Sequence, residues 1–246
     1  KGQFLIPGLW DMHVHFLYDE RLKEVMPSMF LDHGITTVRD TGGDLETLLV
    51  LRANLTNSSE PSPDIFLSGP LLDGKFVIYD GNNPAQPELG TSTPPVDELS
   101  VFVRSMKQRG VDFIKLYELL DEEQFYALSE KAKQVDLPVA SHVPLVLTAD
   151  TAGPKANSME HLRNIELSCA SNWKELLRER RGLIQSFDEG LGYDLRASIQ
   201  ALQRIPAIMN YDENRCDEVL SYLTSTIQVP TLRLNTVSIT KPWEES

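Results

Sequence analysis

Short apolar runs alternate with amphipathic helical stretches along most of this chain. The runs are rich in Val, Ile, Leu and Thr and predict seven strands, at residues 4–16, 34–40, 64–69, 112–117, 138–143, 158–162 and 229–234. Helices are predicted between them, at about 20–32, 44–54 and 96–109 and from residue 121. Apolar strands that alternate with helices form parallel sheets with helices on their faces, so the pattern indicates an α/β fold.

Two segments interrupt this alternation. Residues 70–95 are rich in Pro, Gly, Asn and Asp and predict a long loop. Residues 172–228 are helical, with breaks at 190–192 and at Pro206, and are too long for one crossover helix. We expect this second segment to be a helical insertion or lid on a single barrel domain that takes up residues 1–246.

The number of strands falls one short of a TIM-type (β/α)8 barrel. Two architectures stay open: a barrel with seven recognisable strands and the eighth missing, or an open doubly wound sheet. The chemistry described below favours the incomplete barrel. The chain starts with Lys1 and runs straight into an apolar strand, which predicts a start in mid-protein.

The charge balance limits the classes of partner. The chain has 36 acidic and 23 basic residues, a net charge of -13, and 41% hydrophobic residues. Such an acidic surface repels phosphate, so we expect no nucleic acid and no anionic membrane as partner. No apolar run reaches the length of a membrane span. The two cysteines, Cys169 and Cys216, exclude a thiolate zinc site and leave one disulfide, and hence the cellular compartment, open.

Four of the five histidines fall at the ends of predicted strands. His13 and His15 are two residues apart near the end of the first strand and should face the same side. His142 and His161 lie near the ends of the fifth and sixth strands, and Lys115 lies within the apolar fourth strand. Imidazoles gathered at the carboxyl ends of barrel strands predict a metal site for zinc or a similar divalent ion.

Several motifs in this order resemble the amidohydrolase superfamily, and especially its imidazolonepropionase-like and prolidase-like branch. The segment from Phe4 to His15 is similar to the opening motif of that family. The matching segments further along are GITTVRD at 34–40, DFIK at 112–115, PVASH at 138–142 and SMEH at 158–161. The resemblance covers residues 4 to about 164, is weak over the helical segment and returns faintly at 229–234.

The resemblance implies a two-metal hydrolase. His13 and His15 would bind one ion and His142 and His161 the other, and Lys115, carboxylated by carbon dioxide, would bridge the two. A buried lysine has a lowered pKa and reacts as an amine, which agrees with this role. We take Lys115 and His161 as the catalytic candidates. The family's last ligand is an aspartate after an eighth strand, and no such segment follows Leu234. We therefore expect a chain that is truncated at both ends.

Two further residues are candidates for substrate binding. Tyr117 shares the face of Lys115, although a barrel-lining aromatic is an equally good interpretation. Arg163 suits a carboxylate clamp, although its position beside His161 places it on the opposite face unless the strand has ended. Asp40, at the end of the second strand, is either an acceptor behind the metal ligands or a turn residue.

The leading interpretation is a hydrolase that cleaves an amide or peptide-like C–N bond through metal-activated hydroxide. Its substrate would be a small molecule such as a dipeptide or an N-acyl amino acid. Hydrolysis of a cyclic amide, and a non-catalytic metal-binding barrel module, are the alternatives. The sequence leaves open whether the chain forms a homo-oligomer.

Overall fold

The computed structural model describes residues 2–83 and 86–232. The strands are β1 (Leu9–Val14), β2 (Ile35–Asp40), β3 (Asp64–Leu67), β4 (Leu71–Asp73), β5 (Gly90–Ser92), β6 (Ile114–Leu116), β7 (Val139–Ser141), β8 (Ser158–Glu160) and β9 (Ile227–Val229). The α-helices are α1 (Met26–Asp32), α2 (Leu45–Thr56), α3 (Leu99–Arg109), α4 (Glu122–Gln134), α5 (Ala149–Ala152), α6 (Ile165–Ser168), α7 (Trp173–Ser186), α8 (Gly192–Met209) and α9 (Glu213–Tyr222).

All the strand ladders are parallel. One sheet has the order β1-β2-β3 and the other the order β5-β4-β6-β7-β8-β9. A backbone hydrogen bond joins the two sheets, since the Asp112 amide donates to the Leu67 carbonyl at 2.8 Å. Within the described residues no ladder joins β9 back to β1. The sheets therefore form the arc of an incomplete barrel, and the predicted fold class is confirmed.

The helices between the strands form where the local sequence favours their ends. Asp121 and Gln124 make a reciprocal capping box at the start of α4, which satisfies amides that have no partner inside the helix. Gly110 ends α3 with φ of 99°, a left-handed conformation that glycine adopts without steric cost. α3 and α4 bury one apolar face each, through residues such as Val103 and Phe125, and cover the outside of β6 and β7. This packing fixes the strand ends that carry the candidate site.

Three element boundaries predicted from the sequence are wrong. β1 starts at Leu9, which pairs with Ile35 at the start of β2, so the exposed residues before it run past the sheet. α1 starts at Met26 instead of about residue 20, since Pro27 suits the first turn of a helix. β9 ends at Val229, because Pro230 has no amide hydrogen to extend the ladder. The predicted strand residues 233 and 234 lie outside the described residues.

The described residues of the segment at 70–95 include two short strands where the sequence predicts a loop. It contains β4, which continues the line of β3 and pairs with β6, and β5, which pairs with β4. Asp73 at the end of β4 is fully buried and accepts hydrogen bonds from the amides of Ile78 and Leu119. Leu71 and Leu72 of β4 are both buried and each packs into a different hydrophobic cluster of the core.

The helices α7, α8 and α9 lie between β8 and β9, where the sequence predicts an insertion. Cys169, just after α6, forms a disulfide with Cys216 in α9 across 47 residues. Of the two open interpretations of the cysteines, the structure therefore has the bridge. Among the described residues, no helix combines the length and apolar character that a bilayer crossing requires.

Candidate active site

A pocket of about 1220 Å³ opens where the strands end. The side chains that sequence analysis selected all contribute to its wall. They are His13, His15, Lys115, Tyr117, His142, His161 and Arg163. His13 lies in β1 and Lys115 in β6, while His142 and His161 directly follow β7 and β8. The parallel order of the strands is what brings residues 148 positions apart in the sequence to one edge of the sheet.

The four imidazole rings form a continuous row. The ring centroids of His13 and His15 are 5.1 Å apart, those of His13 and His161 are 4.4 Å apart, and those of His142 and His161 are 4.9 Å apart. The rings are inclined to one another by 60° to 84° and are not stacked face to face. Neighbouring rings therefore lie edge to face or tilted against one another along the pocket wall.

Each imidazole also has a polar partner behind it, at its Nδ1 atom. The partners are Glu160 Oε2 for His13 at 2.7 Å, the Gly42 carbonyl for His15 at 3.2 Å, Glu118 Oε1 for His142 at 3.1 Å, and Thr231 Oγ1 for His161 at 2.6 Å. In metal sites a ligating histidine commonly donates its second ring N–H to such a partner. His13, His15 and His161 have a hydrogen bond at Nδ1, whereas the contact of His142 with Glu118 lies outside hydrogen-bond geometry, and His15 Nε2 also lies 3.5 Å from Thr41 Oγ1.

Burial keeps these imidazoles neutral. It lowers the pKa of His15 to about 3 and that of His161 to about 2, and the nearby His13 and Lys115 charges act in the same direction. The pKa of His13 is also lowered, chiefly by burial against the opposing hydrogen bond to Glu160, and that of His142 lies well below its usual range. A neutral imidazole is the form that binds metal ions.

Glu160 is the charged centre behind His13. Its Oε1 atom accepts a hydrogen bond from Arg39 Nη2 at 2.6 Å and lies 3.8 Å from Lys115 Nζ. Burial by itself would raise the pKa of this carboxyl, but the charges of Lys115, His13 and Arg39 outweigh it, and the pKa is well below its usual range. Glu160 is therefore an ionised acceptor of hydrogen bonds from His13, Arg39 and the Ser158 hydroxyl. Sequence analysis missed it, although it directly precedes His161.

Lys115 is fully buried at the bottom of the pocket. Burial lowers the pKa of its ammonium group to about 8, even though the charge of Glu160 opposes the shift. Its Nζ atom has no hydrogen-bond partner in the part of the chain that the structure describes. A buried amine without a partner costs free energy, so the position indicates a reactive group or a ligand.

The residues present fit a divalent metal ion by their chemistry. They supply four neutral nitrogen donors, and three buried nitrogen atoms, Lys115 Nζ and both ring nitrogens of His142, make no hydrogen bond. Within residues 2–83 and 86–232, however, no three His, Cys, Asp or Glu side chains already have the spacing of an assembled ligand set.

A second buried glutamate, Glu118, faces the other end of the row. Its carboxylate lies 3.1 Å from His142 Nδ1, 3.5 Å from Arg163 Nη1 and 3.3 Å from Arg196 Nε. Arg196 comes from α8, so the helical segment contributes directly to the pocket wall. Neither Glu118 nor Arg196 is recognisable from sequence, because Glu118 follows the strand end by two residues and Arg196 lies in a segment without a motif.

Tyr117 and Arg163 both reach the pocket. The ring of Tyr117 lies 4.5 Å from that of His142. Arg163 reaches it because β8 has ended at Glu160 and the chain then turns through left-handed φ values of 65° at His161 and 55° at Leu162. Such values are rare outside glycine and cost free energy, and strained turns of this kind cluster at functional sites.

Asp40 is a buried turn residue. Its carboxylate accepts hydrogen bonds from the amides of Phe16 at 2.7 Å and Gly42 at 3.0 Å. These hydrogen bonds fix Phe16, which directly follows His15, and Gly42, whose carbonyl contacts His15. Burial raises the pKa of Asp40 to about 7 against the effect of these two hydrogen bonds.

No protein-family model and no curated protein sequence matches this chain. Solved structures do resemble it, and the three named here are each 18% identical to this chain. A Xaa-Pro dipeptidase with bound methionine has a TM-score of 0.53 over 91% of this chain and 65% of that chain. A prolidase complexed with N-methylphosphonate-L-proline has a TM-score of 0.51 over 89% and 60%, and an A. niger ochratoxinase 0.51 over 91% and 63%.

These likenesses show a shared fold. The chain has the α/β architecture of amidohydrolase and prolidase structures, as its motifs predict. It spans less than two thirds of the length of each of these three structures.

Proposed function

We propose that this chain carries the barrel of a metal-dependent hydrolase that cleaves an amide or peptide-like C–N bond. One observation carries the proposal: four neutral imidazoles and a buried lysine line one pocket, and every imidazole has a polar partner at Nδ1. The shared fold supports it, since the structures of that fold include a prolidase, a Xaa-Pro dipeptidase and an ochratoxinase.

In this proposal His13 and His15 hold one zinc or similar divalent ion, and His142 and His161 hold a second. Lys115, carboxylated as a neutral amine by carbon dioxide with release of its proton to solvent, would help the histidines to hold the ions through carboxylate oxygens. Divalent ions supply Lewis-acid activation of a carbonyl and of water near neutral pH. Glu160 keeps His13 oriented and, by its charge, compensates the cations around it.

The substrate side of the pocket carries an excess of positive charge. Arg163 and Arg196 share the single carboxylate of Glu118, and the ion pairs of the described residues give them no other acidic partner. An arginine fork binds carboxylates well. We therefore assign the pocket to a substrate with a carboxylate near the scissile bond, such as a dipeptide or an N-acyl amino acid, with Tyr117 along its side.

The test compares metal content and turnover in three proteins. Wild type, the double variant His13→Ala with His15→Ala, and the exposed control His33→Ala are dialysed against zinc, and the bound metal per chain is measured. We expect the double variant to lose most of its metal and the control to keep it. An unchanged metal content in the double variant would show that the site assignment is wrong.

Turnover is measured on a panel of dipeptides, N-acyl amino acids and cyclic amides. We expect wild type to hydrolyse members of the first two groups. Hydrolysis of cyclic amides alone would move the proposal to that substrate class. Zinc binding without any turnover would instead favour the non-catalytic metal-binding module.

A further inference from the structure

Glu118 is buried where three parts of the fold meet. It follows β6, its carboxylate approaches His142 after β7, and it contacts Arg163 after β8 and Arg196 in α8. We propose that Glu118 is a positioning residue that orients His142 toward the pocket and holds the two arginines at the pocket wall. The inference rests on the proposed metal site only for the role of His142; the hold on the arginines is independent of it.

The two carboxylate oxygens of Glu118 contact different partners. Oε1 lies 3.1 Å from His142 Nδ1 and 3.5 Å from Arg163 Nη1, while Oε2 lies 3.3 Å from Arg196 Nε and 3.4 Å from Gln200 Nε2. Arg196 and Gln200 are four residues apart and therefore lie on the same face of α8. One side chain thus connects the helical segment to the histidine row.

An ion pair with only a structural role would need one cation for the one carboxylate, whereas Glu118 contacts two arginines and a histidine. The side chain of Glu118 has no exposed surface, and burying a charge is favourable only when its partners satisfy it. Two guanidinium groups exceed what one carboxylate needs for neutrality. The His142 contact also lies outside hydrogen-bond geometry, and the Nε2 atom of that ring has no partner among the described residues. The His142 ring therefore faces Glu118 with its Nδ1 edge, and its Nε2 atom is left without a hydrogen bond among the described residues.

A comparison with Glu160 supports this interpretation. Glu160 contacts His13 at 2.7 Å on one side and Arg39 at 2.6 Å on the other. Glu118 likewise pairs a histidine with arginine at the far end of the row, with two arginines in place of one. Partners of this kind behind a ligating histidine typically change metal affinity about 10- to 100-fold when they are removed.

The experiment uses three variants of the whole chain. Glu118→Met keeps the shape and removes the acceptor, Glu118→Gln keeps an acceptor but removes the charge, and Glu123→Gln is a matched control on the exposed first turn of α4. Side-chain ¹⁵N spectra of the metal-free proteins report the tautomer of His142 and the Nε–H signal of Arg196. Zinc affinity is measured separately by competition with a chelator.

We expect Glu118→Met to lose the preference of His142 for the Nδ1–H tautomer, because a carboxylate oxygen 3.1 Å away repels a lone pair on Nδ1, and to bind zinc about 10- to 100-fold more weakly. Glu118→Gln should keep the tautomer and shift the Arg196 Nε–H resonance, because a neutral amide replaces the carboxylate that lies 3.3 Å from Arg196 Nε without a hydrogen bond. The control should match wild type in all three readouts. If Glu118→Met does not fold, the Arg196 signal in Glu118→Gln still decides the question.

An unchanged Arg196 signal in Glu118→Gln, or an unchanged tautomer with zinc affinity within twofold in Glu118→Met, would overturn the inference. If wild type itself binds no zinc, the proposed function fails, while the spectra of the metal-free proteins still test Glu118.

Discussion

At the scale of single residues, the pocket is organised by groups that burial has shifted away from their ordinary charge state. The imidazoles are held neutral, the lysine has a lowered pKa, and Glu160 stays ionised because cations surround it. Suppressing the charges of the imidazoles and of the lysine costs free energy wherever the unfolded chain would carry them, whereas the lowered pKa of Glu160 favours the folded state. Such clusters mark functional sites more often than structural ones.

Lys115 gives the sharpest test at this scale. Lys115→Met keeps the volume and removes the amine, so the fold should persist while the proposed bridge is lost. We expect kcat/KM to fall by more than about a hundredfold, which corresponds to about 2.7 kcal/mol of transition-state stabilisation. The exposed Lys133→Met serves as the control. In Lys115→Ala, short carboxylic acids should restore part of the activity, because they can take the place of the carbamate.

The carbamate itself has a direct signature. Wild type supplied with zinc and ¹³C-bicarbonate should show a carbamate carbon resonance that is absent from Lys115→Met. Wild-type turnover in Lys115→Met would rule out the bridging role, whatever the resonance shows.

At the scale of elements, the segment of α7, α8 and α9 is held to the rest of the fold at two places. Arg196 in α8, the middle helix, reaches the pocket beside Glu118. In α9, the Cys169–Cys216 disulfide ties the helix to the chain after α6, and Arg215 donates to the Ser168 carbonyl and to Asp150. The segment is therefore positioned by specific contacts and not by apolar packing alone.

The disulfide should be a major contribution to the stability of this segment. A cross-link across 47 residues lowers the entropy of the unfolded chain, an effect worth about 4 kcal/mol in the chain-entropy model. We expect reductant, or the double change Cys169→Ser with Cys216→Ser, to lower the free energy of unfolding by up to that amount, measured with urea. The double variant should no longer respond to reductant. Equal stability with and without reductant in wild type would contradict the expectation.

At the scale of the whole molecule, the sequence predicts the order of the parts better than their limits. Period and composition predict the seven barrel strands, because each needs a buried apolar run. The motifs predict His13, Lys115 and His161 at one edge, because parallel strands end there. The start of β1 depends on where its partner strand β2 begins, and this pairing is a long-range contact that the local sequence does not show. Glu118 and Arg196 were not predictable, since their contact joins positions 78 residues apart with no local pattern.

The pH dependence of stability follows from the same buried groups. The pKa values of the four site histidines are lowered in the folded chain, so their contribution is present above about 6.5 and is lost progressively as the pH falls. Asp40 and Asp73 act in the opposite direction. Burial raises the pKa of each to about 7, so their contribution is full below about 3.8 and is lost as the pH rises through 7.

The histidines should decide the outcome on acidification. Near pH 5 the unfolded chain gains up to four protons on these histidines, whereas the folded chain holds up to two more on Asp40 and Asp73. The free energy of unfolding of the metal-free protein should therefore fall with decreasing pH, by at most about 2.7 kcal/mol per pH unit. Urea unfolding between pH 7 and pH 5 measures this slope. His15→Gln should reduce it by about one proton, because the pKa of His15 is about 3 in the folded chain, while the exposed His33→Gln should leave it unchanged. A slope that is the same in wild type and His15→Gln would mean that His15 is protonated in the folded chain, and that the row of neutral imidazoles on which a metal site depends does not exist.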